Sequence, residues 1–211
     1  DLHGRYAYAK QPSILAWNLA RFAETLIPLT DADEDYAIKL LTSAIEEASS
    51  ECKSEWERRM CAKIGLNSKN KNDTDIIQNL LELMQKGNAD FTNTFRHLSD
   101  TLRKGKGSAR KQFQDPTAFD LWEKRWIKQI KKRPASMDTC ANQMDQINPA
   151  YIPRNHKVEE VLSEAINESD FQLFENMLAI LATPFDEKKG QEEFALPAPV
   201  SSVPYKTFCG T

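Results

Sequence analysis

The chain has 211 residues, of which 40% are hydrophobic and 28% charged, and its net charge is −3. This is the composition of an ordinary globular domain with a core of its own. The total charge points to neither a nucleic acid nor a membrane as partner, and no apolar run approaches the roughly 18 residues of a membrane span. The sequence begins at Asp1 rather than at methionine, so we expect it to be part of a longer protein.

Apolar residues recur at helical spacing along most of the chain, which predicts an all-α fold. Glycine is scarce, with seven residues, and no period-two alternation suggests a strand. The predicted helices cover 13–29, 33–64, 74–86, 89–102, a segment beginning at Asp115-Pro116, 136–146, 156–168 and 170–183. We therefore expect an irregular bundle of about eight helices over 1–184, followed by an extended tail over 185–211.

The apolar faces of three helices are the clearest candidates for the core. The first helix carries Leu15, Leu19, Phe22, Leu26 and Leu29. The second carries Ala37, Leu41, Ile45, Ala48, Cys52, Trp56 and Met60. The helix after Pro116 carries Phe119, Trp122, Trp126 and Ile130. On this pattern Cys52 belongs to the core and Cys61 does not.

Three local signals mark helix ends. Asp115 followed by Pro116 is typical of an N-cap and a first helical position. Gly87 predicts a C-terminal cap. Ser169 and Gln172 have the spacing of a capping box.

The four cysteines form no CxxC pair and no zinc-binding spacing. Cys52 and Cys61 would lie about 13 Å apart along one helix, which is too far for a disulfide. Because the chain is also large enough to fold without covalent crosslinks, this usage favours a reducing, intracellular compartment.

Residues 101–133 contain eleven lysines and arginines against three acids. Lys124, Lys128 and Lys131 fall on the side of a helix opposite Trp122 and Trp126. Two interpretations remain open: a solvated charged face, or a patch for an anionic partner. The nearby "GKGS" at 105–108 lacks the rest of a phosphate-loop pattern and a preceding strand, and predicts a mobile basic loop.

Two long stretches carry a resemblance to a known family. In the first, "HGRYAYAKQPSILAWNLAR", the matched positions include Arg5, Tyr6, Asn18 and Arg21. In the second, "NPAYIPRN", they include Arg154 and Asn155. Both closely resemble the SelO family, also called YdiU, of pseudokinase protein adenylyltransferases. The full stretches cover 3–29 and 146–187, and their order and spacing run from one end of the chain to the other, while the middle, 65–115, is less diagnostic.

The resemblance implies a protein-kinase-like fold, of which this chain would form the C-lobe and C-terminal extension. Such pseudokinases transfer AMP from ATP to serine, threonine or tyrosine hydroxyls of proteins and use Mg²⁺. Their nucleotide-binding and metal-binding residues precede the segment matched by Arg5 and Tyr6. No catalytic, cofactor-binding or metal-binding residue is therefore assigned to this chain, and we expect it to be inactive alone, with ATP and Mg²⁺ bound only by the full-length parent.

The same resemblance suggests partners and a compartment. The expected partners are the N-terminal kinase-like part of the same protein and the protein substrates of the parent, whereas neither a membrane nor a nucleic acid is expected. Bacterial cytoplasm and mitochondrial matrix both fit.

The matched polar residues are interpreted as structural. Asn18 and Arg21 would tie the preceding loop to the helical lobe, Arg154 would fork to a carboxylate or carbonyl group, and Asn155 would cap the next helix. Cys209-Gly210-Thr211 resembles the family's terminal Cys-Ser-Ser motif. Cys209 is therefore a redox candidate that would form a reversible disulfide with a cysteine upstream of Asp1.

Two other classes of function remain as alternatives. One is a helical interaction or regulatory module that docks acidic partners through the basic 101–133 face. The other is a thiol redox protein centred on Cys209, although such proteins usually need a CxxC pair.

Overall fold

The structure is a computed structural model that describes residues 7, 10–67, 71–105 and 107–199. Within these ranges it contains eight α-helices, two short 3-10 helices and no strand, which confirms the predicted all-α class. None of the helices in these ranges is long and apolar enough to cross a membrane. The α-helices are α1 Gln11–Thr30, α2 Glu34–Lys63, α3 Lys71–Gly87, α4 Phe91–Lys104, α5 Thr117–Ile130, α6 Met137–Asp145, α7 Asn155–Asn167 and α8 Gln172–Leu181.

The described residues fall into two compact units, which divide between Glu57 and Arg58, within α2. The first unit contains α1 and most of α2. The second contains the last turns of α2 and the six helices that follow.

Helix α1 packs differently from the prediction. No residue of α1 is buried in the described structure, and Leu15, Phe22 and Leu29 of the predicted face are exposed. The prediction of that face as core was wrong, because among the described residues of this unit α2 is the only other helix that could cover α1. The two helices instead line a groove of about 330 Å³. Its lining residues are Ala20, Ala23, Glu24, Ile27, Ile38, Leu41, Thr42 and Ile45.

The main core lies in the second unit and is centred on α5. All four residues of the predicted face of α5 are buried, as expected. Trp122 and Trp126 stack with their ring centroids 5.5 Å apart. Each indole also donates a hydrogen bond to a backbone carbonyl, Trp122 Nε1 to Ile76 O at 2.8 Å and Trp126 Nε1 to Ile64 O at 2.7 Å. These bonds allow two large polar-edged rings to be buried, since no indole N–H is left unsatisfied.

The end of α2 corrects the prediction for two cysteines. Cys61 is fully buried, whereas Cys52 is exposed. Cys61 and Ile64 lie three residues apart and both enter the main core. Met60, the last residue of the predicted stripe, is buried in the same core, whereas Cys52 and Trp56 belong to the first unit and are exposed.

The junction between α3 and α4 also differs from the prediction. Gly87 is the last residue of α3, and the left-handed residue that ends the helix is Asn88, with φ 47°. Ala89 N then donates to Met84 O at 3.0 Å, which satisfies a carbonyl group of the last turn. Gly87 is needed for another reason: a Cβ there would lie 3.0 Å from Cδ1 of Phe113. The glycine therefore makes room for a buried ring.

Two further helix starts are adjusted. Asp115 Oδ1 accepts from Thr117 N at 3.0 Å, so the capping role is present although the helix begins one residue later than expected. The capping box expected of Ser169 and Gln172 is wrong. Ser169 has φ 54°, and Gln172 N donates instead to Asp170 Oδ1 at 2.8 Å.

A second, smaller core joins α7, α8 and the segment that follows them. It contains Tyr151, Val161, Met177, Ile180 and Phe194. Phe194 lies in the 3-10 helix Glu192–Ala195, so part of the segment predicted as a tail packs into this core.

Candidate functional site

The segment Asn148–Asn155, which carries the second motif, lies where α2, α4, α6 and α7 of the second unit meet. Asn148 is almost completely buried, and its amide nitrogen donates to Lys63 O at 2.7 Å and to Phe95 O at 3.4 Å. Its amide oxygen accepts from Lys63 Nζ at 3.0 Å. One carboxamide therefore joins the end of α2 to the middle of α4.

Arg96 extends this network on the other side of Asn148. Its Nη1 donates to Asn148 O at 3.0 Å and to Asp145 O at 3.1 Å, and its Nε donates to Glu187 Oε1 at 3.1 Å. Arg103 Nη2 binds the same Asp145 through Oδ2 at 2.5 Å. Sequence reasoning missed Arg96, because a basic residue on an amphipathic helix ordinarily lies in solvent and nothing in its spacing marks it as buried.

Tyr151 fixes the segment after α8. Its hydroxyl group accepts from Lys188 N at 2.9 Å and donates to Lys188 O at 3.2 Å. The backbone N–H groups of Ala150 and Tyr151 both donate to Pro184 O, at 2.8 and 3.1 Å. The motif thus holds residues 184–188 against the second core without any regular secondary structure there.

Arg154 makes the fork that was expected, and its partner is Asp90. Nη1 lies 2.8 Å from Oδ2 and Nη2 lies 3.0 Å from Oδ1. Asp90 is the N-cap of α4 and also accepts from Asn93 N at 2.8 Å. Burial by itself raises the pKa of Asp90, but the hydrogen bonds from Arg154 and Asn93 outweigh it and leave the pKa below its ordinary value.

Asn155 does not act as the expected cap. It is the first residue of α7, the N-cap position is occupied by Arg154, and no side chain caps this helix. That prediction was wrong because α7 begins one residue earlier than expected, which makes Asn155 the first helical residue rather than the cap.

Asn18 and Arg21, from the first motif, lie in the other unit and are exposed. Arg21 Nη2 pairs with Glu24 Oε1 at 2.5 Å, and its guanidinium group lies 5.7 Å from the centroid of the Trp17 ring. Both contacts are within α1. The expected bond to the preceding loop stays a prediction, because Arg5 and Tyr6 lie outside the described residues, as does Cys209.

The basic segment 101–133 is divided by the structure. Arg103, Arg110 and Arg133 have acceptors in the second unit, Asp145, Asp120 and Gly65 O respectively. In contrast, four cations of α5 and the residue after it are exposed and pair with no carboxylate among the described residues. They are Lys124, Arg125, Lys128 and Lys131.

A cleft of about 370 Å³ lies between the loop after α4 and the start of α5, lined by Gly105, Gly107, Arg110, Asp120 and Glu123. Thr101 Oγ1 donates to Glu123 Oε1 at 3.1 Å. Burial raises the pKa of Glu123, and the bond from Thr101 only partly opposes this. The rim is closed by the forked pair of Arg110 and Asp120, which satisfies both charges internally.

Comparison with known proteins identifies a matching family and several relatives. A family described as "Protein adenylyltransferase SelO" matches residues 1–182. The protein nucleotidyltransferase YdiU of Halalkalibacterium halodurans is 43% identical over 212 residues, and those of Rhizobium johnstonii and Geobacillus kaustophilus are 40% and 42% identical. Each alignment covers 100% of this chain but only 42%, 43% and 43% of the three relatives. The chain therefore spans less than half the length of the relatives it matches.

Proposed function

The chain belongs to the SelO family of protein adenylyltransferases, and from this membership we propose that it is the C-terminal portion of an enzyme that transfers AMP from ATP to protein hydroxyl groups. The acceptors are serine, threonine and tyrosine side chains. The proposed fold of the parent is kinase-like, and this chain supplies its C-lobe and C-terminal extension. Alone, the chain is inactive.

The observation that supports this proposal is that the alignments cover the whole of this chain but less than half of each relative. All of the chain aligns with the relatives, whereas 57–58% of each relative's length lies outside the alignment, from 100 minus the covered 43% or 42%. A segment of that length is large enough to form a domain with a nucleotide site.

The exposed apolar residues of α1 are consistent with a partner that covers this helix in the full-length parent. Leu15, Trp17, Phe22 and Leu29 are exposed, although α1 is rich in apolar residues and none of its residues is buried in the described structure. Exposed apolar area of this extent marks an interaction surface. The proposed occupant is the N-terminal, kinase-like part of the same polypeptide.

The proposal assigns the magnesium–nucleotide site to the part of the parent outside this chain. Among the described residues, no group of three or more His, Cys, Asp or Glu side chains is placed to hold a metal ion. The buried basic residues Arg96 and Arg154 are occupied by Glu187, Asp90 and backbone carbonyls. The resemblance implies that the residues that bind Mg-ATP precede the segment of Arg5 and Tyr6, in the part of the parent outside this chain.

The test compares the parent with this chain, using ATP labelled at the α-phosphate and Mg²⁺. The parent should transfer label to itself or to added proteins, and calorimetry should detect Mg-ATP binding to the parent but not to the chain alone. A parent that transfers nothing would overturn the activity, whereas tight Mg-ATP binding by the chain would overturn the placement of the site. Label on the γ-phosphate instead serves as the control, because transfer of AMP leaves it in pyrophosphate.

The proposal includes a redox role for Cys209. Its thiolate would attack an upstream cysteine of the parent that is held in a mixed disulfide with a small thiol. The new disulfide forms as the bond to the small thiol breaks and that thiolate leaves. Mass spectrometry of the oxidised parent under non-reducing conditions tests this. A peptide that links Cys209 to an upstream cysteine is expected, and a free Cys209 under conditions that oxidise other thiols would contradict it.

A second candidate function rests on the unpaired cations of α5. Lys124, Arg125, Lys128 and Lys131 are exposed, and Leu121 is exposed beside them. Such a surface fits an acidic protein segment. Binding of a glutamate-rich peptide should weaken with salt and be lost when Lys124, Lys128 and Lys131 are changed to glutamate, whereas Lys39→Glu and Lys53→Glu on α2 should leave it unchanged. If the α2 substitutions weaken peptide binding as much as the other three do, binding depends on net charge alone and this candidate function is wrong.

A further inference from the structure

Lys63, the last residue of α2, is a partly buried lysine in neutral surroundings. Its Nζ donates to Asn148 Oδ1 at 3.0 Å and lies 5.2 and 5.9 Å from the ring centroids of Phe95 and Phe91. Across the residues that the structure describes, no carboxylate pairs with this amine. The surroundings therefore supply one amide oxygen and two aromatic faces, and no opposite charge.

Asn148 cannot turn away from this arrangement. Its amide nitrogen is held by Lys63 O and Phe95 O, which fixes the amide oxygen toward Nζ. Deprotonation of Lys63 does not break this hydrogen bond, because the neutral amine keeps an N–H group to donate to the amide oxygen. The two ring faces favour the ammonium ion, and burial opposes them.

Lys157, also in the second unit, has the carboxylate partners that Lys63 lacks among the described residues. Lys157 Nζ binds Glu160 and Glu193, both at 2.9 Å, and these bonds raise its pKa. Burial instead lowers the pKa of Lys63. A larger fraction of Lys63 is consequently present as the nucleophilic free amine at neutral pH.

The amine also has a route to solvent. Phe95 is buried beneath it, but Phe91 is 45% exposed, so one aromatic wall of the site borders water. A small reagent can approach over Phe91, and an apolar group attached to Nζ would lie against that ring.

We propose that Lys63 is an acylation site that takes small acyl phosphates. The lone pair of neutral Nζ attacks the acyl carbon, the bond from that carbon to the phosphate oxygen breaks, and the proton lost by nitrogen ends on the departing phosphate. The amide product keeps one N–H group for Asn148 Oδ1 and no longer places a charge between Phe91 and Phe95. This inference is independent of the proposed AMP transfer.

The test uses the whole chain, acetyl phosphate as the probe, and mass spectrometry to follow each lysine separately across pH. Lys128, which is exposed and has no partner among the described residues, is the internal reference. Lys63 should be acetylated severalfold faster than Lys128 at neutral pH. Both rates should increase with pH, and the increase for Lys63 should occur at a lower pH than that for Lys128. Acetylation of Lys63 that is slower than that of Lys128 at every pH, or that follows the same pH profile, would overturn the proposal.

A pair of variants tests the aromatic wall. Phe91→Ala admits water to Nζ, so the pH profile of Lys63 should move toward that of Lys128. Phe174→Ala removes an exposed ring from α8 and should change nothing. An unchanged Lys63 profile in a folded Phe91→Ala variant would contradict the role of the site, and the wild-type comparison decides the matter even if that variant fails to fold.

Discussion

Arg154 binds Asp90 through two hydrogen bonds of 2.8 and 3.0 Å, and Asp90 in turn caps α4 through Asn93 N. The pair joins residues 64 positions apart in sequence. Both side chains are mostly removed from water, with 9% and 16% of their surfaces exposed. The salt bridge thus joins the N-cap residue of α4, Asp90, to the N-cap residue of α7, Arg154.

Replacing Arg154 by leucine should destabilise the second unit by about 3 kcal/mol, because it leaves the Asp90 carboxylate buried and unpaired. Urea unfolding followed by tryptophan fluorescence would measure this, since Trp122 and Trp126 are buried in the same unit. Arg110→Leu, which removes the exposed fork to Asp120, is the matched control and should have a much smaller effect. If the two variants lose the same free energy of unfolding, the burial of the Arg154–Asp90 pair does not account for the destabilisation.

The stability that Asp90 contributes should depend on pH. Its pKa in the folded chain lies below the unfolded value of about 3.9, so the contribution is fully present above that value and is lost as pH falls through the folded pKa. Asp90→Asn keeps a good N-cap but removes this titration. The difference in unfolding free energy between wild type and Asp90→Asn should shrink from about pH 5 downward.

The exposed Asp138→Asn serves as the control for that measurement. A difference between wild type and Asp90→Asn that stays constant down to the acid limit would show that Asp90 and Arg154 do not form a charged pair in the folded chain.

Gly87→Ala should destabilise the chain, although alanine is favoured over glycine inside a helix by about 1 kcal/mol. The added Cβ would lie 3.0 Å from the buried ring of Phe113, and overpacking of this kind costs about 1–3 kcal/mol. Thermal unfolding of Gly87→Ala alone and with Phe113→Leu tests the cause. The smaller side chain should recover part of the loss, and a stabilising Gly87→Ala would rule out the close contact.

Cysteine labelling should separate the two thiols of α2. In the native chain, iodoacetamide should modify Cys52 readily, whereas Cys61 and Cys140 should react only after unfolding, because both are fully buried in the main core. Mass spectrometry after short labelling, with and without urea, gives the comparison. Rapid native labelling of Cys61 would mean that the last turn of α2 opens readily from α5 and α6.

The sequence by itself determined the all-α class, the existence of each long helix and the buried face of α5. These follow from local periodicity: Phe119, Trp122, Trp126 and Ile130 recur on one side of a helix that has a single core to face. The family followed from the two motifs, which are long enough to be recognised without any structure.

Only the tertiary structure decided that Cys61 is buried and Cys52 is exposed, because α2 passes from one compact unit to another and its surroundings change between these two residues. It also decided the roles of Arg96, Asn148 and Lys63. Their partners lie on other helices, tens of residues away, so no local pattern indicates whether a polar side chain meets water, a carboxylate or two phenyl rings. Periodicity records the spacing of apolar residues along one helix, whereas burial of a polar group depends on what packs against it.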